Sequence, residues 1–311
     1  MGGDAPTILI VGTADDPHAL AVQKALDGAF RRRSVIFDLA AIPGEPSWFG
    51  AGDGSTKAGM GSLDLFAIEA IWWRRPTPCL LPATQLNREH VQVEWDQYVE
   101  GLLHSRGCRW VNEPFAQRRA ALKLVQLGAA ARLGFLVPET LTTTCPDRTR
   151  AFLERHPRAV YKRVGTGPGG AYTRLVTPSL IDRLDALRSC PVTFQEYIEP
   201  GHDLRVTWIG GRSFAMKIDT AHSATPEDSR RDYTVEHAVT ELEPLLEARL
   251  SKLMRELGLV YGAIDLRVSK NGDTYFLEVN PAGQFAFVEI LTDMPVIEAM
   301  ARLLADGPLP A

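Results

Sequence analysis

Asp265, Glu278 and Asn280 lie in one short stretch, AIDLRVSKNGDTYFLEVN, that reads as a β-hairpin. Its Asn271-Gly272 dipeptide is the strongest local signal for a two-residue loop. With that loop Lys270 pairs Asp273, and counting outward sets Asp265 opposite Glu278 and Ala263 opposite Asn280. Paired residues share a face, so the three polar side chains project together, while Ile264, Leu266, Val268, Tyr275, Leu277 and Val279 form an apolar face. Like charges directly across a ladder cost roughly 0.2–1 kcal/mol, and a bound cation removes that cost. Two carboxylates and an amide oxygen are hard ligands, suited to Mg²⁺ that keeps its other positions for water and phosphate oxygens. The plain alternative is a solvated polar face on an edge hairpin.

Other segments place charge or polarity where a plain strand or turn does not need it. In VYKRVGTG, strand alternation puts Lys162 on the face of Val160 and Val164, either as a functional cation or as a snorkelling stem. The run GTGPGG that follows lets backbone N–H groups approach a phosphate closely. FQEYIEP carries more polarity, at Gln195, Glu196 and Glu199, than a central strand usually does. Arg205 follows Asp203 by two residues and shares its face. At WWRRP, Trp72 and Trp73 point to opposite faces, and Arg74 and Arg75 at the strand end either bind a carboxylate or phosphate or solvate a turn.

These groups need a scaffold, and the chain is long enough for several domains. It has 311 residues, 45% hydrophobic and 23% charged, with a formal net charge of −4 that gives no overall field for nucleic acid. Cys79, Cys108, Cys145 and Cys190 are too scattered for a zinc site or disulfide framework, which fits a reducing cytoplasm. The N-terminal residues resemble no signal peptide and no stretch reaches the ~18 apolar residues of a membrane span.

A strand over 7–11, a helix from Asp16-Pro17 to about Phe30 and a strand over 34–39 make a β-α-β start, but GTADD lacks the glycine fingerprint of a dinucleotide site. That unit is read as scaffold. Residues 43–62 read as a long loop, 67–73 as a strand, 89–104 as a helix, and 116–132 as one helix after a boundary at 112–115. Strands or extended segments follow at 138–144, 160–164 and 193–198, with helices at 149–155 and 179–188. Strands at 204–209 and 213–218 are joined by Gly210-Gly211, and a polar loop covers 221–233. A helix at 242–257 stopped by Gly258 precedes the metal hairpin.

FLEVNPAGQF preceded by YGAIDLRV resembles the metal-binding end of ATP-grasp ligases, and WWRRP resembles the N-terminal domain of one branch, the microviridin-type peptide ligases or graspetide synthetases. These are similar to ribosomal-protein glutamate ligases. The resemblance covers nearly the whole chain. It implies a mixed α/β and α+β architecture: a Rossmann-like pre-ATP-grasp domain (1–115), then two ATP-grasp subdomains (116–190 and 191–311) clasping ATP.

By resemblance Asp265, Glu278 and Asn280 are ligands of Mg²⁺, two ions being expected. Lys123 and Lys162 contact nucleotide, and Gly167, Gly169 and Gly170 cover its phosphates. Glu196, Tyr197 and Ile198 form the adenine hinge, and Asp203 binds ribose. Arg205 is the leading electrostatic catalyst. Arg230, Arg231 and Lys217 rank below it, since the branch has an Asp-Trp-Arg motif where this chain reads Arg230-Arg231-Asp232-Tyr233.

The implied reaction activates Asp or Glu side chains of a ribosomal precursor peptide, leader plus acidic core, as acyl phosphates, and forms macrocyclic esters with Ser or Thr or amides with Lys. An amino-acid ligase acting on a peptide terminus and a non-catalytic nucleotide-binding regulator remain as alternatives, and a homodimer is left open. Neither nucleic acid nor membrane is expected as a partner.

Overall fold

Thr7–Val11, five buried residues in a row, sits inside a parallel sheet covered on both faces. The computed structural model of the protein describes residues 7–308 except 106, 166–171, 229, 230 and 233. The sheet order is Arg33–Phe37, Thr7–Val11, Ile68–Trp73, Arg109–Val111, all parallel. The first helix, Pro17–Gly28, starts where Asp16 caps the N–H of His18 and Pro17 takes the first position. Trp72 and Trp73 enter different cores, as alternation requires.

The span 43–62 is largely not a loop. Ser47–Gly52 and Ser55–Met60 form an antiparallel hairpin, extended by Leu63–Asp64. Asp53 and Gly54, both at positive φ, make its turn, so an Asp-Gly hairpin signal was present but diluted by surrounding Gly, Pro and Ser. The single helix expected over 116–132 is two, Pro114–Ala120 and Lys123–Arg132, broken where Leu122 turns extended. Likewise 179–188 is a short helix, Pro178–Ile181, and a 3₁₀ segment, Leu184–Ser189.

Two further sheets face each other across a cavity. The smaller is antiparallel, in the order Arg174–Leu175, Ala159–Arg163, Val192–Glu196, Thr140–Thr143. The larger runs His237–Thr240, Arg212–Ile218, Pro200–Ile209, Tyr261–Ser269, Thr274–Asn280. Helices Lys123–Arg132 and Pro244–Leu257 cover one of its faces in a core with Val206, Ile264, Leu266 and Phe276. The C-terminal helix Val296–Asp306 lies under its other face and against Pro17–Gly28, so Ile8, Ile10, Trp72, Met216 and Leu304 belong to one core.

Arg74 is neither a ligand-binding cation nor solvated. It is fully buried and points inward, with Nε donating to Asp16 at 3.0 Å and Nη1 to the carbonyls of Ala282 and Gly283 at 2.7 and 2.9 Å. Arg75 lies at the cavity rim, its Nη2 3.4 Å from the Ala282 carbonyl. Among the described residues no helix is long and apolar enough to cross a membrane.

Candidate active site

The hairpin places Asp265 opposite Glu278 and Ala263 opposite Asn280, but by a different route from the two-residue loop. The Ser269 N–H donates to Asp273 O, and Gly272, at φ +90°, donates to Ser269 O. The loop is therefore Lys270-Asn271-Gly272, one residue longer, and Lys270 does not pair Asp273. That offset alone would set Asp265 opposite Leu277. A bulge between Asp265 and Leu266 leaves Leu277 unpaired and restores the register. Between bulge and loop the faces exchange: Phe276 is in the core, and Leu277 lines the cavity beside Glu278.

Thr274–Asn280 is an edge strand, and the segment after residue 120 seals it. Gln126, buried, donates to Val279 O at 2.7 Å and accepts from Val279 N at 3.0 Å, replacing a missing strand. The Phe276 N–H finds Leu136 O at 2.8 Å. The break at Leu122 puts Lys123 at a helix start, where its Nζ reaches Glu278 Oε2 at 2.6 Å. A continuous helix would not leave the chain free to turn there.

A repeated sequence, Asp203-Leu204-Arg205 and Asp265-Leu266-Arg267, builds the floor. The two copies are antiparallel, so Arg205 pairs Asp265 and Asp203 pairs Arg267 in register. Arg205 Nη1 donates to Asp265 Oδ1 at 2.8 Å and Nη2 to Gln284 O at 2.8 Å. Arg267 grips both Asp203 oxygens, Nε to Oδ1 at 2.8 Å and Nη2 to Oδ2 at 3.0 Å, and holds the carbonyls of Ile198 and Pro226. Burial by itself would depress both guanidiniums. The charge and hydrogen bonds of Asp265 and Asp203 more than offset it, holding both above their ordinary value. Arg267 is a site residue that sequence reasoning passed over; the duplicated Asp-Leu-Arg was the signal for it.

The smaller sheet supplies the roof. Lys162 shares its face with Thr140, Thr142, Thr193 and Gln195, and Tyr161, Phe194 and Leu141 form the apolar face instead, so Lys162 stands on the polar side of its sheet. Its Nζ donates to Gln195 Oε1 at 3.0 Å, and Gln195 in turn donates to Thr140. The guanidiniums of Arg158 and Arg267 lie over the Tyr197 ring, at 4.2 and 6.0 Å from its centroid. The Tyr197 hydroxyl is buried without a hydrogen-bond partner among the described residues, and burial raises its pKa. Glu196 accepts from the Glu139 N–H.

Floor and roof enclose about 820 Å³, a volume typical of small-molecule sites. Lys123, Lys162, Glu196, Tyr197, Ile198, Asp203, Arg205, Asp265, Glu278 and Asn280 all line it. Lys217 does not: it pairs Leu204, which projects it from the opposite sheet face to Arg205, and it is exposed. Arg231 also stays outside, 3.5 Å from Glu227 and stacked on Tyr172. Gly167, Gly169, Gly170 and Arg230 fall outside the described residues.

Among the described residues no three His, Cys, Asp or Glu side chains form a metal cage. Asp265, Glu278 and the Asn280 amide line the cavity together, and two carboxylates with an amide oxygen would suit a cation that takes its other ligands from water and phosphate, the habit of Mg²⁺.

No family model and no curated protein matches the chain. Solved structures do, nearly end to end. The macrocyclase MdnC from Microcystis aeruginosa MRC, bound with precursor peptide MdnA, superposes with a TM-score of 0.85 at 27% identity, over 96% of this chain and 99% of its own. A Chryseobacterium gregarium RiPP-associated ATP-grasp ligase, in complex with ADP and a leader and core peptide, gives 0.86 at 26% identity, over 98% of each chain. The chain has the fold of the ATP-grasp ligases. The same fold appears in the macrocyclase MdnB from Microcystis aeruginosa MRC, with a TM-score of 0.79 at 24% identity, over 97% of this chain and 99% of that chain. Here, then, the cavity between the two sheets is the candidate clasp, and its charged floor lies on the larger sheet.

Proposed function

We propose that this protein uses Mg²⁺ and ATP to activate Asp or Glu side chains of a ribosomally made precursor peptide, and closes them onto Ser or Thr as esters or onto Lys as amides. The observation that carries the reading is the convergence of Asp265, Glu278, Asn280, Arg205 and Lys162 on one cavity, in a chain similar throughout to MdnC and to the leader- and core-bound ligase. A substrate carboxylate oxygen attacks the γ-phosphorus of ATP, ADP departs, and an acyl phosphate results. A hydroxyl or amine then attacks the acyl carbon, phosphate leaves, and the nucleophile gives up its proton.

Asp265, Glu278 and Asn280 hold the metal, which neutralises phosphate charge when bound. Arg205 and Lys162 offset the charge on the transferred phosphoryl group, and the facing sheets exclude water. Glu196, Tyr197 and Ile198 hold adenine, Asp203 the ribose, and Lys123 a phosphate once it releases Glu278. The glycines 167, 169 and 170 and Arg230 belong to the same proposal as phosphate cover and electrostatic aid. Residues 1–115 serve as the pre-ATP-grasp domain, and 116–190 and 191–311 as the clasping subdomains, with Val192–Glu196 reaching back into the smaller antiparallel sheet of 116–190. A cytoplasmic setting completes the reading.

Mass spectrometry of a leader-plus-core peptide after incubation with ATP and Mg²⁺ tests it. Loss of one water per link, with matching ADP, is expected. A mass gain equal to an added amino acid would overturn it in favour of terminal ligation, and tight ATP binding without turnover would favour a regulator.

A further inference from the structure

The segment after the metal hairpin, Pro281 to Phe285, has no regular secondary structure, yet side chains from elsewhere hold each of its backbone carbonyls through Gln284. Asn112 Nδ2 donates to Pro281 O at 2.9 Å. Arg74 Nη1 donates to Ala282 O and Gly283 O, and the Tyr261 hydroxyl also donates to Gly283 O at 2.7 Å. Arg205 takes Gln284 O, and the Phe285 N–H donates to His18 Nε2 at 3.1 Å. The strap is tied at one end to Asn280, whose Oδ1 accepts from Ala282 N at 3.0 Å, and at the other to Arg205, which also holds Asp265. Three of its anchors, His18, Arg74 and Asn112, come from the N-terminal domain read as scaffold.

We propose that Arg74, oriented by Asp16, is a positioning residue for the metal-ligand set: by fixing the Ala282 and Gly283 carbonyls it sets where Asn280 Oδ1 and the Arg205–Asp265 pair stand. The inference rests on Asp265, Glu278 and Asn280 being the metal ligands. One guanidinium spans Asp16 and both carbonyls, which an ammonium, a point donor, cannot reproduce. Partners one step behind metal ligands typically govern affinity by about 10–100-fold. Gly283 permits the close fit, because a Cβ there would collide with the Ala263 Cβ and press on Asn280 O and Arg205.

The probe is Mn²⁺ with ADP, with bound Mn²⁺ followed by paramagnetic resonance on the full chain. Arg74→Met is expected to weaken Mn²⁺ affinity about tenfold or more, Arg74→Lys to rescue it only partly, and Gly283→Ala to reproduce the loss from the opposite side of the strap. Arg109→Met is the control. Arg109 also crosses from the N-terminal domain, to the Leu304 and Ala305 carbonyls, but does not touch the strap, so its loss lowers the melting temperature and leaves Mn²⁺ affinity in place. If Arg74→Met does not fold, Asp16→Asn carries the test with a smaller shift in the same direction. Wild-type Mn²⁺ affinity in folded Arg74→Met or Asp16→Asn overturns the proposal, as does an equal loss in Arg109→Met. Glu278→Gln separates the two readings: if it alone keeps Mn²⁺ binding, the metal-site assignment has failed; if it abolishes binding while Arg74→Met does not, only the positioning role has.

Discussion

In the proposed site Glu278 answers to two cations in turn. Lys123 holds its carboxylate at 2.6 Å, and a metal ion arriving with nucleotide needs the same oxygens. Glu278→Gln keeps a hydrogen-bond acceptor for Lys123 and removes the charge, so the melting temperature should move little while product formation falls by about 10²–10³, as losses of one preorganised electrostatic group do. Measuring ADP release and thermal unfolding on the same sample checks both. Asp203→Ala should behave in the opposite manner. It strands the buried Arg267 guanidinium, and removing one member of a buried pair costs about 3–5 kcal/mol. Denaturant titration should find that loss whether or not nucleotide is present, whereas a ribose contact alone would leave the apo protein unchanged.

At the scale of the element, the candidate metal hairpin owes its geometry to two compensating irregularities, the longer loop and the bulge at Leu277. Gly272→Ala strains a residue at φ +90° by roughly 1–2 kcal/mol, but the bulge still sets Asp265 against Glu278, so activity should survive. Deleting Leu277 should also leave Glu278 opposite Asp265, because Phe276 then runs straight into Glu278 along an unbroken ladder, so turnover should survive in a folded protein; circular dichroism beside a mass-spectrometric assay decides it. Alternation and an Asn-Gly turn were legible in the sequence and led to the correct facing pair. The bulge was not, because an unpaired Leu looks like any core Leu until its partner strand is seen. The break at Leu122 was hidden for a similar reason: no Gly or Pro marks it, and what turns the chain there is the tertiary pull of Gln126 and Lys123 on the edge strand. Arg74 does bind a carboxylate, that of Asp16, but its carbonyl partners lie about two hundred residues away, where no local pattern points to them.

For the whole molecule, Asp16 is a group whose ionisation helps tie the parallel sheet, through Arg74, to the strap after the hairpin. Burial pushes its pKa up, but the hydrogen bonds from His18 and the Arg74 charge win, and the carboxyl is held well below the ordinary aspartate value of 3.8. The folded state thus binds fewer protons than the unfolded chain in that window, so Asp16's contribution is complete above about pH 4 and fades as pH falls through the folded pKa. Unfolding free energy measured against pH should rise with pH across the acid limb, and Asp16→Asn should flatten that slope.

The helix Val296–Asp306, packed on Pro17–Gly28 in the same core as Ile8 and Trp72, sets the order of assembly. A ribosome delivers the parallel sheet before the helix that finishes its core, so the nascent sheet waits with an open apolar face until the larger sheet has also been made. Chimeras that exchange the parallel sheet between related enzymes should therefore carry the helix Val296–Asp306 with it.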